Sequence, residues 1–227
     1  MIDVKLVLSI LTIIVTLVLA LYVFVRSPKN KIGQAFLFLI LSFAFWGVAE
    51  TAVYLTNNLY LAVLINRWSF FAGLLIALSF VYFAYVFPYV YRVTSKWILF
   101  LSIITFLVSA IFSFLPNGIV QSGNTVSGSK VFTLGWAPLT FFVITFSIFF
   151  VYGFILLWKK YLHSSGETRT QLFHVILSSL VAVIGGAIFG LFFYYFNAFN
   201  YEIYAPVFTL VFSTTVFYLI FIRSRLT

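Results

Sequence analysis

Seven apolar stretches of about 18 to 30 residues each, parted by short polar connections, leave this chain almost no soluble fold to adopt. They run over 4–25, 32–55, 59–87, 97–115, 137–158, 172–196 and 203–222. A helix rises about 1.5 Å per residue, so each is long enough to cross the hydrocarbon core. Composition excludes the alternative: with 64% hydrophobic and 7% charged residues and a mean hydropathy of +1.17, a 227-residue soluble domain would lack the polar side chains to cover its surface. The expected fold is an all-α integral membrane bundle of seven transmembrane helices, residues 1–227 forming a single domain in a cell membrane.

The first stretch reads as a retained helix rather than a signal peptide. Asp3 and Lys5 leave its flank nearly neutral, the apolar run is long, and no small-residue cleavage site follows. Basic residues then set the orientation. Arg26, Lys29, Lys31, Arg92, Lys96, Lys159, Lys160, Arg169, Arg223 and Arg225 fall on one side, whereas Lys5 and Lys130 fall on the other. The positive-inside rule puts the amino terminus outside and the carboxyl terminus in the cytoplasm. Because these cations sit in short loops between apolar spans, the net charge of +9 marks membrane topology and not a nucleic-acid surface. Cysteine is absent, which removes disulfides, thiolate metal sites and redox pairs.

Two charges cannot avoid the bilayer. Glu50 precedes the turn at Asn57 and Asn58 by about seven residues and Arg67 follows it by about nine, so the two lie at nearly one depth on antiparallel neighbours. Charges at such depth pair with one another or face a cavity. The expectation is a Glu50–Arg67 intramembrane ion pair, bordering a pocket lined by Trp46, Trp68, Ser102, Thr105 and Ser109. In the sixth span Ser178, Ala182, Gly186 and Gly190 recur every four residues, a face small enough for a neighbouring backbone, either inside the bundle or at a homodimer seam. The longest connection, 116–136, is rich in Gly, Ser and Asn. Within it Ile119–Gln121 and Lys130–Leu134 suit a small extracellular β-hairpin between the fourth and fifth helices.

Catalytic and cofactor chemistry find no support. The two histidines, His163 and His174, lie in or beside the fifth connection, so they cannot sandwich a transmembrane haem or serve a serine inside the bundle. No lysine in the seventh span offers a Schiff base, and no His/Asp/Glu cluster suits a metal. The chain is expected to need no cofactor or metal and to be no enzyme.

Several segments, taken in order, resemble one family. They are Asn30 with FLFLILSFAFWGVAE at 36–50, Arg67, YVFPY at 85–89, RTQLFHVILSSLVAVIGGAIF at 169–189, APVFTLVF at 205–212 and FIRSRL at 221–226. Together they resemble the N-terminal seven-transmembrane region of membrane histidine kinases. The resemblance implies a sensor domain without the catalytic kinase module, which perceives an unidentified small or lipophilic ligand, or a membrane state, and relays it through the seventh helix. Arg223 and Arg225 would mark the output junction to a cytoplasmic kinase, and such kinases act as dimers. A small-solute carrier is the alternative, although seven spans without an internal repeat or a broken helix fit it poorly. A non-catalytic scaffold is a third reading.

Overall fold

The computed structural model describes residues 3–26, 29–89, 96–126, 129–189 and 203–222. Its helices are α1 (Val4–Arg26), α2 (Lys31–Leu55), α3 (Leu59–Val86), α4 (Lys96–Phe114), α5 (Trp136–Leu162), α6 (Gly166–Ala187) and α7 (Val207–Phe217), and a π-helical turn, Tyr218–Ile222, follows α7. Between α4 and α5 lie two strands, β1 (Val120–Val126) and β2 (Ser129–Leu134), paired antiparallel with an irregularity between Val120 and Ser122. Helices α1, α2, α3, α5 and α6 are long and apolar enough to cross a membrane; Ile103–Phe114 and Val207–Ile220 are shorter apolar helical stretches.

Neighbouring helices in the chain are neighbours in space, and α7 returns to lie beside both α6 and α1. Helix α3 is the central post, since it packs on α2, α4, α5 and β1. Local chemistry explains the ends of the first hairpin. Asn30 and Asn58 accept hydrogen bonds from Ile32 N and Leu61 N, capping α2 and α3, and the chain turns between the helices over three residues.

Helix α1 shows how the bundle sorts its side chains. Its buried positions are Ser9, Thr12, Thr16, Ala20 and Val23, while Leu11, Ile14, Val18 and Leu21 face outward. The pattern is inverted relative to a soluble helix because lipid solvates the leucines, whereas the hydroxyls must find acceptors. Thr12 and Thr16 donate to carbonyls one turn back, and Ser9 pairs with Thr51 of α2 at 2.6 Å. Close approach is also written into α5, where a Cβ on Gly153 would lie 2.6 Å from the Phe80 ring.

Three elements depart from the expected bounds. The last span, expected over 203–222, is α-helical only over Val207–Phe217, after a turn at 203–206 that ends at Pro206 and before the π-helical stretch. Helix α6 begins at Gly166, six residues before the apolar run, because the polar segment 166–171 is itself helical. Glu167 sits in its first turn, where a carboxylate complements the helix dipole. Helix α5 runs on to Leu162, past the expected end at Trp158, and carries Lys160 with it.

Candidate functional site

Between α2, α3, α5, α6 and α7 lies a partly open cavity of about 80 Å³, large enough for several water molecules or a small organic group. Its wall is aromatic. Phe70 meets Phe142 at 5.2 Å between ring centroids, Phe142 stacks on Phe146, Phe146 meets Phe150 at 4.6 Å, and Phe150 meets Phe80 at 5.1 Å. Phe80 in turn touches Phe212 of α7, which also packs edge-on against Phe43 of α2. The rings form one connected chain from α3 and α5 to the last helix.

Glu50 is the acidic residue of this lining. The Trp46 indole, one turn earlier on α2, donates to Glu50 Oε1 at 3.0 Å, and the Ser69 hydroxyl of α3 donates to the same oxygen. Asn66, Ser179 and Thr209 complete the polar lining. Ser179 donates to Val175 O at 2.6 Å and Thr209 to Pro206 O at 2.6 Å, so both hydroxyl protons are already used.

The expected Glu50–Arg67 ion pair is not formed among the described residues. Arg67 instead donates to Val120 O at 3.0 Å, Pro116 O at 3.4 Å and Phe114 O at 3.5 Å, beneath the β-hairpin. The reason is azimuth. Helical residues are about 100° apart in projection, so Arg67 and Ser69 point to nearly opposite sides of α3. With Ser69 aimed at Glu50, Arg67 must face the hairpin and the end of α4.

Of the expected pocket residues, Trp46 lines the cavity. Trp68 does not: it is 42% exposed and packs against Phe45, Phe71 and Phe114 on the outside of the bundle. Ser109 is buried at the α4–α5 contact, where it donates to Thr145 at 3.1 Å, and Thr105 is absent from the lining as well. The Ser102 side chain lies outside the described residues. On α6 the small-residue face turns into the bundle: Ser178 and Ala182 are buried, and Ala182 and Gly186 line the cavity, with Trp46 3.6 Å from where a Gly186 Cβ would stand. Ser178, Ala182 and Gly186 thus find their neighbours within the same chain. Gly190, Arg223 and Arg225 lie outside the described residues.

Sequence reasoning passed over most of the wall. One signal was available on α3, where Asn66, Ser69 and Gly73 recur at helical spacing and lie together on the cavity side. It also passed over Lys160, read as a loop cation. Lys160 is fully buried, and its Nζ donates to the carbonyls of Ala84, Tyr85, Phe87 and Tyr89 at 2.7–2.8 Å, where α3 ends. Its place on the stripe Gly153, Leu156, Leu157, Lys160 was the clue.

A family model described as the N-terminal 7TM region of histidine kinase matches residues 8–227. No curated protein matches the chain significantly.

Proposed function

The chain belongs to the family of N-terminal 7TM regions of histidine kinases, sensor regions distinct from the catalytic module, and from that premise we propose that its internal cavity is the sensing site. The protein is a multi-pass membrane protein. Occupation of the cavity by a small or lipophilic ligand shifts α7, and α7 passes the shift to a downstream cytoplasmic kinase. The chain crosses the bilayer seven times with its amino terminus and β-hairpin outside and its carboxyl terminus, with Arg223 and Arg225, at the cytoplasmic face. The observation that carries this reading is the position of Thr209 and Phe212: the last helix before the output end forms part of the cavity wall. A ligand that alters the packing of Phe212 against Phe43, Phe80 and Phe83 acts on that helix directly.

The test is a chimera with a dimeric kinase core joined after Thr227, assayed for autophosphorylation in nanodiscs. Filling the cavity with Gly186→Phe should lock the output at one level and remove its response to ligands. Inserting one to four alanines at the junction should change activity with helical periodicity, because a rigid helix transmits rotation. Activity indifferent both to the filled cavity and to insert length would overturn the proposal.

A further inference from the structure

We propose that the cavity takes a protonated amine on a compact apolar or aromatic body, its ammonium on Glu50 and its body against the phenylalanine wall; this rests on the cavity being the sensing site. A carboxylate at this depth costs several kcal/mol unless a counter-charge is supplied. Arg67, at the matching depth, is committed to the carbonyls beneath the hairpin, and Glu50 forms no ion pair among the described residues. Both donors to Glu50, the Trp46 indole and the Ser69 hydroxyl, converge on Oε1. They hold the carboxylate in one orientation, and Oε2 accepts from none of the described residues.

The rest of the lining selects in the same direction. Trp46 spends its indole N–H, and Ser69, Ser179 and Thr209 spend their hydroxyl protons, inside the protein, so what the three hydroxyls leave to a ligand is acceptor capacity. An anionic head would meet a like charge at Glu50 and few free donors. A cationic head finds the carboxylate oxygen in a cavity lined largely by aromatic rings, and a ring's π-face attracts a cation placed over it. The missing counter-charge of Glu50 is thus the ligand.

Three matched probes test this in nanodiscs by calorimetry and thermal shift: 2-phenylethylamine, 2-phenylethanol and 3-phenylpropionate. The amine should bind the wild-type chain at least about tenfold more tightly than the alcohol, the scale of one charge-assisted hydrogen bond, and the carboxylate should bind weakest. Glu50→Gln, which still accepts from Trp46 and Ser69, should bring the amine down to the level of the alcohol and leave the alcohol unchanged. If Glu50→Gln does not fold, Glu50→Asp is read instead. It keeps the charge but withdraws it by one methylene: a weakened amine supports the proposal, and an unchanged amine overturns it. Equal binding of the three probes, or an amine affinity untouched by Glu50→Gln, overturns the amine assignment, while loss of all binding in Gly186→Phe would leave the cavity as a ligand site. If no probe binds and Gly186→Phe also leaves kinase output unchanged, the sensing reading falls with it.

Discussion

The two ends of α3 solve the same problem with different cations. Where α3 begins, under the hairpin, Arg67 reaches outward to carbonyls at the end of α4 and the start of β1, and Lys130 of β2 donates to Val53 O and, at 3.0 Å, to Tyr54 O at the end of α2. At the opposite end Lys160 of α5 reaches the terminal carbonyls of α3 itself. Each cation reaches at least one carbonyl at the carboxyl end of a helix to which it does not belong (α4 for Arg67, α2 for Lys130, α3 for Lys160), where the last four carbonyls lack intrahelical partners and the helix dipole is negative. In lipid such carbonyls cannot turn to water, so a donor must be carried to them. The difference lies in burial: Arg67 and Lys130 are half-buried, whereas Lys160 is wholly enclosed and divides three N–H donors among four carbonyls. One end is closed by a sealed plug and the other by two adjustable ties.

Removing the plug should therefore have the largest effect. Lys160→Met leaves buried carbonyls of α3 without a donor and is expected to cost about 3 kcal/mol or more, read as a loss of unfolding free energy in detergent or nanodiscs. Lys160→Arg should fail to restore it, since a planar guanidinium does not fit the ammonium's position. Arg67→Met should cost less, about 1–2 kcal/mol, because two of its three bonds are long and the group is half-buried. Equal losses at the two sites would break the distinction between plug and tie. Adding Glu50→Gln to Arg67→Met should give additive losses, since the two side chains have separate partners.

That last expectation reverses what depth alone suggests, and the contrast shows what was legible in the residues. Span number, length and depth follow from hydropathy and a rise per residue, so Glu50 and Arg67 were placed at one level. Which way a side chain points within that level depends on which helix lies against which face, and hydropathy is blind to it when every face is apolar. On α3 the order Asn66, Arg67, Ser69 puts a small polar stripe beside a cation, and only the packing of α2 against that stripe decides which of them meets Glu50. For the same reason the Trp68 and Ser109 sites are separate from the cavity, although both stand near polar neighbours. The end of α5 was misjudged for a different reason. A lysine lowers the hydropathy average at Lys159 and Lys160 whether or not its charge is satisfied, so the buried cap looked like a loop. The small face of Ser178, Ala182 and Gly186 was visible as a pattern, but its use as cavity wall depended on Trp46 standing opposite.

The smallest effect is expected at Lys130, and it sharpens the comparison through its pH dependence. Lys130→Met should cost under about 1 kcal/mol, because the half-buried side chain only supplements the end of α2. Partial burial in the hairpin pulls the Lys130 ammonium below the ordinary lysine value of 10.5. A folded state that holds the proton more weakly than the unfolded chain gains stability as pH rises between the two values, since the unfolded state then binds more protons. The wild-type chain should thus gain stability relative to Lys130→Met as pH climbs toward 10.5 and level off above it. Chemical unfolding of both proteins across that range gives the slope directly. Were the wild type instead to hold its advantage up to 10.5 and lose it only above, the carbonyls of Val53 and Tyr54 would outweigh the burial. Lys130 would then be a true cap of the kind Lys160 makes, and the two ends of the bundle would differ in exposure alone.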